Sequence, residues 1–133
     1  MIAGFQYDSS FEPPAPVVPV RIAGPAGGDS VLLPMLVDTG ADCTLIPASV
    51  ARQLGLPQAD FVAVLGVAGG KWRAVMHAAI LALGELSIAA RVVALSHEAI
   101  LGRDVLNQLR VTLDGPDREL SVRKPRSRRA QHG

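Results

Sequence analysis

A chain of 133 residues, 49% hydrophobic and formally +1 at neutral pH, is long enough for one modest core and too short for two. Aromatic residues make up only 4%, so that core has to be aliphatic, and a single cysteine, Cys43, excludes an intrachain disulfide. No basic stretch leading into an apolar run opens the chain, and the longest apolar stretch, residues 78–83, is too short to span a bilayer, so a soluble cytoplasmic protein with no membrane partner is expected.

Prolines at positions 13, 14, 16 and 19 mark residues 1–16 as an N-terminal arm, expected to be extended rather than packed, ahead of a domain over 17–122. Residues 17–23 and 31–37 are apolar segments separated by the turn-forming Gly24, Pro25, Gly27, Gly28 and Asp29, which predicts a hairpin. Residues 45–46 are apolar. Pro47 then opens a run over 48–54 that Gly55 closes, the arrangement of a short helix with proline at its start and glycine past its end. Residues 61–65 and 72–76 flank a glycine cluster and predict a second hairpin, followed by strands at 78–83, 86–90 and 92–95. The spacing of Val105, Leu106 and Leu109 predicts a second short helix over 103–109, and Asp114, Gly115 and Pro116 turn a last hairpin between 111–113 and 119–122. Many short strands with two short helices predict a mainly β, barrel-like domain. Residues 123–133 hold five basic side chains and no acid, so the rest of the chain is mildly acidic. This tail is expected to be a solvated, disordered end rather than a nucleic-acid contact.

The stretch that carries chemistry is 36–44, which reads Leu36, Val37, Asp38, Thr39, Gly40, Ala41, Asp42, Cys43, Thr44. It sets a carboxylate at the mouth of a tight turn among apolar neighbours, where a charged group is either expensively half-buried or there to react. Asp-Thr-Gly alone would arise by chance in about one chain in forty of this length. Two further features follow it in order: the cluster Gly66, Val67, Ala68, Gly69, Gly70 and the segment Ile100, Leu101, Gly102, Arg103, Asp104.

Together these resemble the retropepsins, the retroviral-type aspartic proteases, over residues 17–122. The resemblance implies a retropepsin-like closed β-barrel, the acid-protease fold, with one half-site per chain. It implies an aspartic endopeptidase in which Asp38, Thr39 and Gly40 are catalytic, with no metal and no cofactor. The glycine cluster would be a flap over a polypeptide bound as an extended strand, and Leu36, Ala41, Asp42, Gly66, Val67, Ala68, Gly69 and Ile100 would meet that substrate. Gly102 and Arg103 would give structural support, with Arg103 paired to Asp42, and Thr39 would reach across to a partner loop.

Hydrolysis by paired carboxylates needs two aspartates too close for both to ionise. Asp8, Asp29 and Asp114 all lack the strand-Asp-Thr/Ser-Gly context, so a homodimer contributing Asp38 twice is required. Ala41 offers no side-chain donor where a serine or threonine would, which leaves the pair less acidic and the expected pH optimum nearer neutrality. The alternative is a catalytically weak or inactive dimerisation or peptide-binding module on the same fold, against which Asp38, Thr39 and Gly40 stand undamaged. Leu65 and Trp72 break the pattern of a nucleotide-binding P-loop, and His77, His97 and Cys43 lack metal-ligand spacing.

Overall fold

From Val18 onward buried and exposed residues alternate through β2 (Val17–Ala23), where Val18, Val20 and Ile22 face inward and Pro19 and Arg21 face solvent. That period of two is what a strand with one face on a core requires. The computed structural model describes residues 2–67, 70–95 and 97–126, with backbone alone at 2, 60–67 and 70–73. The other elements, in chain order, are β1 (Ile2–Gln6), β3 (Ser30–Val37), β4 (Thr44–Ile46), α1 (Ala48–Leu54), β5 (Gln58–Val67), β6 (Gly70–Leu83), β7 (Leu86–Ala94), β8 (Ile100–Leu101), α2 (Arg103–Leu106), β9 (Arg110–Asp114) and β10 (Glu119–Arg123).

Seven strands form one sheet in the order β2-β3-β8-β4-β7-β6-β5, and β6 pairs again with β2, closing six of them into a ring. The remaining three form a sheet in the order β1-β10-β9. The domain is mainly β, as expected, and its interior is aliphatic: the largest fully buried side chains are isoleucines, leucines, valines and Met35. Leu120 and Val122 of the small sheet share that core with Leu81, Leu83 and Leu106. Each such side chain taken out of water contributes about 1.5–3 kcal/mol.

The segment expected as an unpacked arm is partly wrong. Residues 2–6 form β1, antiparallel to β10 with Ala3 opposite Val122 and Phe5 opposite Leu120, and Phe5 and Tyr7 pack on the core. The four prolines lie outside β1: Pro13, Pro14 and Pro16 sit in or beside a loop closed by a bridge between Asp8 and Ala15, and Pro19 stands in β2 opposite Pro34, before the stretch at Arg21–Ala23 that also pairs with β6. The strands expected separately at 72–76 and 78–83 are one strand, β6, and those at 86–90 and 92–95 are joined in β7, because neither His77 nor Arg91 is a turn residue and the antiparallel pairing of β6 with β7 runs unbroken from Met76 to Leu83.

Helix α1 has the expected bounds. Gly55 ends it at φ 58°, with Leu56 N–H on the Ala51 carbonyl and Gly55 N–H on Arg52, a Schellman stop in which buried Leu56 supplies the apolar contact. Helix α2 is shorter than expected. It stops at Leu106: Asn107 N–H still bonds four residues back to the Arg103 carbonyl, and Gln108 and Leu109 then tighten into bonds three residues back, to Val105 and Leu106, as the chain turns into β9 at Arg110. Among the described residues no helix is long and apolar enough to cross a membrane. Residues 127–133 of the basic tail lie outside the described residues.

Candidate active site

The residues after β3 are placed by strand pairing. β3 runs parallel to β8, with Leu36 opposite Ile100 and Val37 opposite Leu101, and β4 runs antiparallel on the other side of β8, with Leu45 opposite Ile100. The loop 38–43 therefore crosses over the C-terminal end of β8 to reach β4. Asp38 donates its backbone N–H to the Leu101 carbonyl at 3.1 Å, so the carboxylate stands one residue beyond the last paired position, half-buried. Its Oδ1 accepts the Gly40 N–H at 2.9 Å, and its carbonyl accepts the Ala41 N–H at 3.2 Å. These two bonds close the tight turn the sequence implied.

The underside of the loop is tied to the start of α2 at Thr39, Ala41 and Asp42. Arg103 donates its backbone N–H to the Ala41 carbonyl at 2.8 Å and its Nη1 to the Thr39 carbonyl at 2.7 Å, while Nη2 pairs with the Asp42 carboxylate. Thr44 is fully buried, and its hydroxyl donates to Asp104 Oδ1 at 2.8 Å and accepts the Gly102 N–H at 3.1 Å. The other Asp104 oxygen accepts the Thr44 N–H at 3.2 Å. A buried hydroxyl would be costly unpaired, and here it is satisfied both as donor and as acceptor.

Gly102 lies where the loop passes over β8. A Cβ there would sit 2.4 Å from the Cys43 carbonyl oxygen and 2.5 Å from its carbon, so no side chain fits between the two backbones. The φ of −90° is ordinary; close approach is what demands glycine.

Thr44 and Asp104 belong to the two motifs, but no spacing in the sequence signals their contact: they stand 60 residues apart, and only the crossing of β3, β8 and β4 brings them together. The expected pocket residues Leu36 and Ile100 are direct cross-strand partners, both half-buried. Thr39, Gly40 and Asp42 are exposed, and Ala41 is half-buried. Gly66 and Val67 end β5 opposite Lys71 and Gly70, whereas Ala68 and Gly69 lie outside the described residues. β6 pairs with β7 only from Met76 onward, so the part of the β5–β6 hairpin before it has no other strand paired beside it among the described residues.

The profile of the gag-polyprotein putative aspartyl protease family matches residues 27–108, a span that takes in the Asp38 loop, the β5–β6 hairpin and α2. The chain belongs to that family. Among solved structures it is similar to the EIAV protease complexed with the inhibitor HBY-793, at 24% identity over 70% of this chain and 86% of that one, with a TM-score of 0.53. It is also similar to a retropepsin-like aspartic protease from Rickettsia conorii, at 17% identity over 92% of this chain and 91% of that one, with a TM-score of 0.59. At these identities the likeness is one of fold, and the fold is retropepsin-like. No curated protein matches by sequence.

In this retropepsin-like fold the Arg103–Asp42 pair is open to solvent, with side chains 45% and 76% exposed, so the ion pair alone is worth little. The bond from Nη1 to Thr39 adds to it. Arg103→Ala is expected to lower stability by about 1 kcal/mol and to speed hydrogen exchange at Ala41 and Thr44, read by mass spectrometry. Arg103→Lys should not restore protection, because an ammonium cannot reach the Thr39 carbonyl and Asp42 as a fork does.

Burial pushes the Cys43 thiol up from its ordinary value, and the Asp104 and Asp42 carboxylates add to the shift. A retropepsin-like chain with this thiol should react with iodoacetamide at pH 8 more slowly than free cysteine, and the gap should close on denaturation. Equal rates in folded and unfolded protein would contradict that placement.

Proposed function

We propose that this chain is an aspartic endopeptidase that works as a homodimer, with one Asp38 from each copy forming the catalytic pair. The observation that carries the reading is a single Asp-Thr-Gly loop, set at the end of a parallel strand pair and tied to α2 through Thr39, Ala41, Asp42 and Thr44. Placement of a reactive group on such a braced loop is what positioning in catalysis requires.

Two carboxylates at contact distance share one proton. The ionised Asp38 takes a proton from a water held between the pair, the water oxygen bonds to the scissile carbonyl carbon, and the protonated Asp38 gives its proton to the carbonyl oxygen. Collapse of the tetrahedral diol breaks the C–N bond, with a proton passing to the leaving nitrogen. Substrate lies extended and hydrogen-bonds as an added strand, with Leu36 and Ile100 lining a side-chain pocket and the hairpin of β5 and β6 covering it. Because Ala41 carries no hydroxyl to bond the carboxylates, the working pH lies nearer neutrality than in a site with such a donor.

The test is cleavage of a mixed peptide library between pH 4 and 8 by concentrated protein, read by mass spectrometry beside an Asp38→Asn variant. Cleavage by the wild type alone supports the reading; equal products from both sink it.

A further inference from the structure

Composition alone makes residues 123–133 a basic, solvated end. Strand register adds to it a cation from elsewhere in the chain. β9 and β10 pair antiparallel with Arg110 directly opposite Arg123, so the two side chains leave the same face of the small sheet, about 5 Å apart at Cβ. That face is the solvent one, because Leu120 and Val122, at the alternate positions of β10, are buried in the core. Lys124 and Arg126 follow Arg123 in the chain, and all four cations are exposed. None of the four has a carboxylate partner among the described residues.

Like charges directly opposite on adjacent strands repel, and no carboxylate on the sheet lies close enough to offset this pair. Asp114 and Glu119 face each other at the far end of the hairpin, four residues along each strand. That separation is about 13 Å, beyond the ~8 Å over which exposed charges act at physiological salt. The end of the sheet therefore carries an uncompensated positive charge, and an anion held between Arg110 and Arg123 would relieve their repulsion.

We propose that Arg110, Arg123, Lys124 and Arg126 form a docking surface for the phosphate backbone of a nucleic acid. Three of the four are arginines, whose planar fork gives a phosphate two parallel N–H bonds where an ammonium offers a point charge. Arg110 and Arg123 are close enough to share one phosphate, and Arg126 stands three residues further, at most about 11 Å along the chain, so successive cations meet successive phosphates. The next row of the face, Gly4, Ser121 and Thr112, supplies hydroxyls for phosphate oxygens but no ring on which a base could stack. Recognition is thus of charge and backbone, without preference for base sequence. An anionic membrane presents similar charge, but a small basic patch without a lipid chain or an apolar helix holds a bilayer only marginally.

The test is fluorescence anisotropy of a labelled, mixed-sequence single-stranded DNA of about 20 nucleotides, titrated with the full chain between about 20 and 100 mM salt. Four phosphate contacts, at about 0.7 counterions each, predict that log Kd climbs with log salt at a slope of about 3. Arg110→Gln should lower that slope by about 0.7 and weaken binding at the lowest salt at least about threefold, and Arg123→Gln should do the same. Arg118→Gln is the control. It removes the same charge from the turn at the other end of the hairpin and should leave binding unchanged. Thermal melting checks that all three variants are folded.

An Arg110→Gln protein that binds with wild-type affinity and slope overturns the proposal, because the contact would then belong to the chain end alone. So does an Arg118→Gln protein that loses as much, which would make the effect one of net charge. A wild type that leaves the oligonucleotide free at about 200 µM protein and the lowest salt also overturns it, whether or not the protein sediments with vesicles of phosphatidylserine and phosphatidylcholine.

Discussion

Asp38→Asn is expected to reduce peptide cleavage by at least about a thousandfold while leaving the fold in place, since a positioned general base contributes on the order of a hundred- to ten-thousandfold. Asparagine is the sharper substitution because its Oδ1 still accepts the Gly40 N–H that Asp38 holds at 2.9 Å, so the turn survives and only ionisation is removed. Thermal melting should therefore move by less than a degree or two. If each site needs two copies of Asp38, the variant also poisons the wild type. In an equal mixture about a quarter of the dimers keep both carboxylates, so activity should fall to about a quarter rather than a half. A fall to one half would mean that each chain works alone, and the single Asp-Thr-Gly loop would then need another explanation.

Gly102→Ala should have the largest effect on stability of any single methyl added to this chain. The new Cβ would lie 2.4 Å and 2.5 Å from the carbonyl oxygen and carbon of Cys43 and 3.0 Å from its nitrogen, and all three are backbone atoms that cannot rotate aside. Either the Asp38 loop lifts off β8, breaking the Gly102 N–H bond to Thr44 and the Arg103 bonds to Thr39 and Ala41, or β8 is pushed into the core through fully buried Leu101. Overpacking of this kind costs about 3 kcal/mol or more, or a fall in Tm on the order of 10 °C for a chain of this size. Gly115→Ala is the matched control, since a Cβ there meets nothing within 4 Å, and it should be neutral within about 0.5 kcal/mol. A Gly102→Ala protein that melts with wild type would show that the loop and β8 are not in contact in solution.

Much of this organisation is visible in local chemistry. Helix α1 could be bounded to the residue because its stop is a glycine that has to take φ 58°, a requirement that sits on one residue. The β2–β3 hairpin was legible from two apolar segments and the glycine-rich turn between them, and the Asp38 turn from its own three residues. β1 was not legible. Its partner lies more than a hundred residues away, and five residues containing a glycine beside a proline-rich stretch carry no periodicity strong enough to separate a paired strand from a free one. The end of α2 was misjudged for a related reason: Leu109 keeps helical spacing because it packs on the core, whereas the backbone has already tightened toward β9.

The candidate site divides along the same line. Residue types and order along the chain single out Asp38 and its turn, and the proposed need for a second copy follows from the chemistry of a carboxylate pair and from counting half-sites. Composition likewise dictates an aliphatic core. What holds Asp38 in place depends instead on a crossing. β8 lies between β3 and β4, and only that arrangement sets Gly102 against Cys43, Asp104 on Thr44, and Arg103 beneath Thr39 and Asp42. Each of these contacts joins positions about 60 apart, and each depends on ångström-scale distance. Sequence order carries no distance, so it could name the carboxylate but not what braces it.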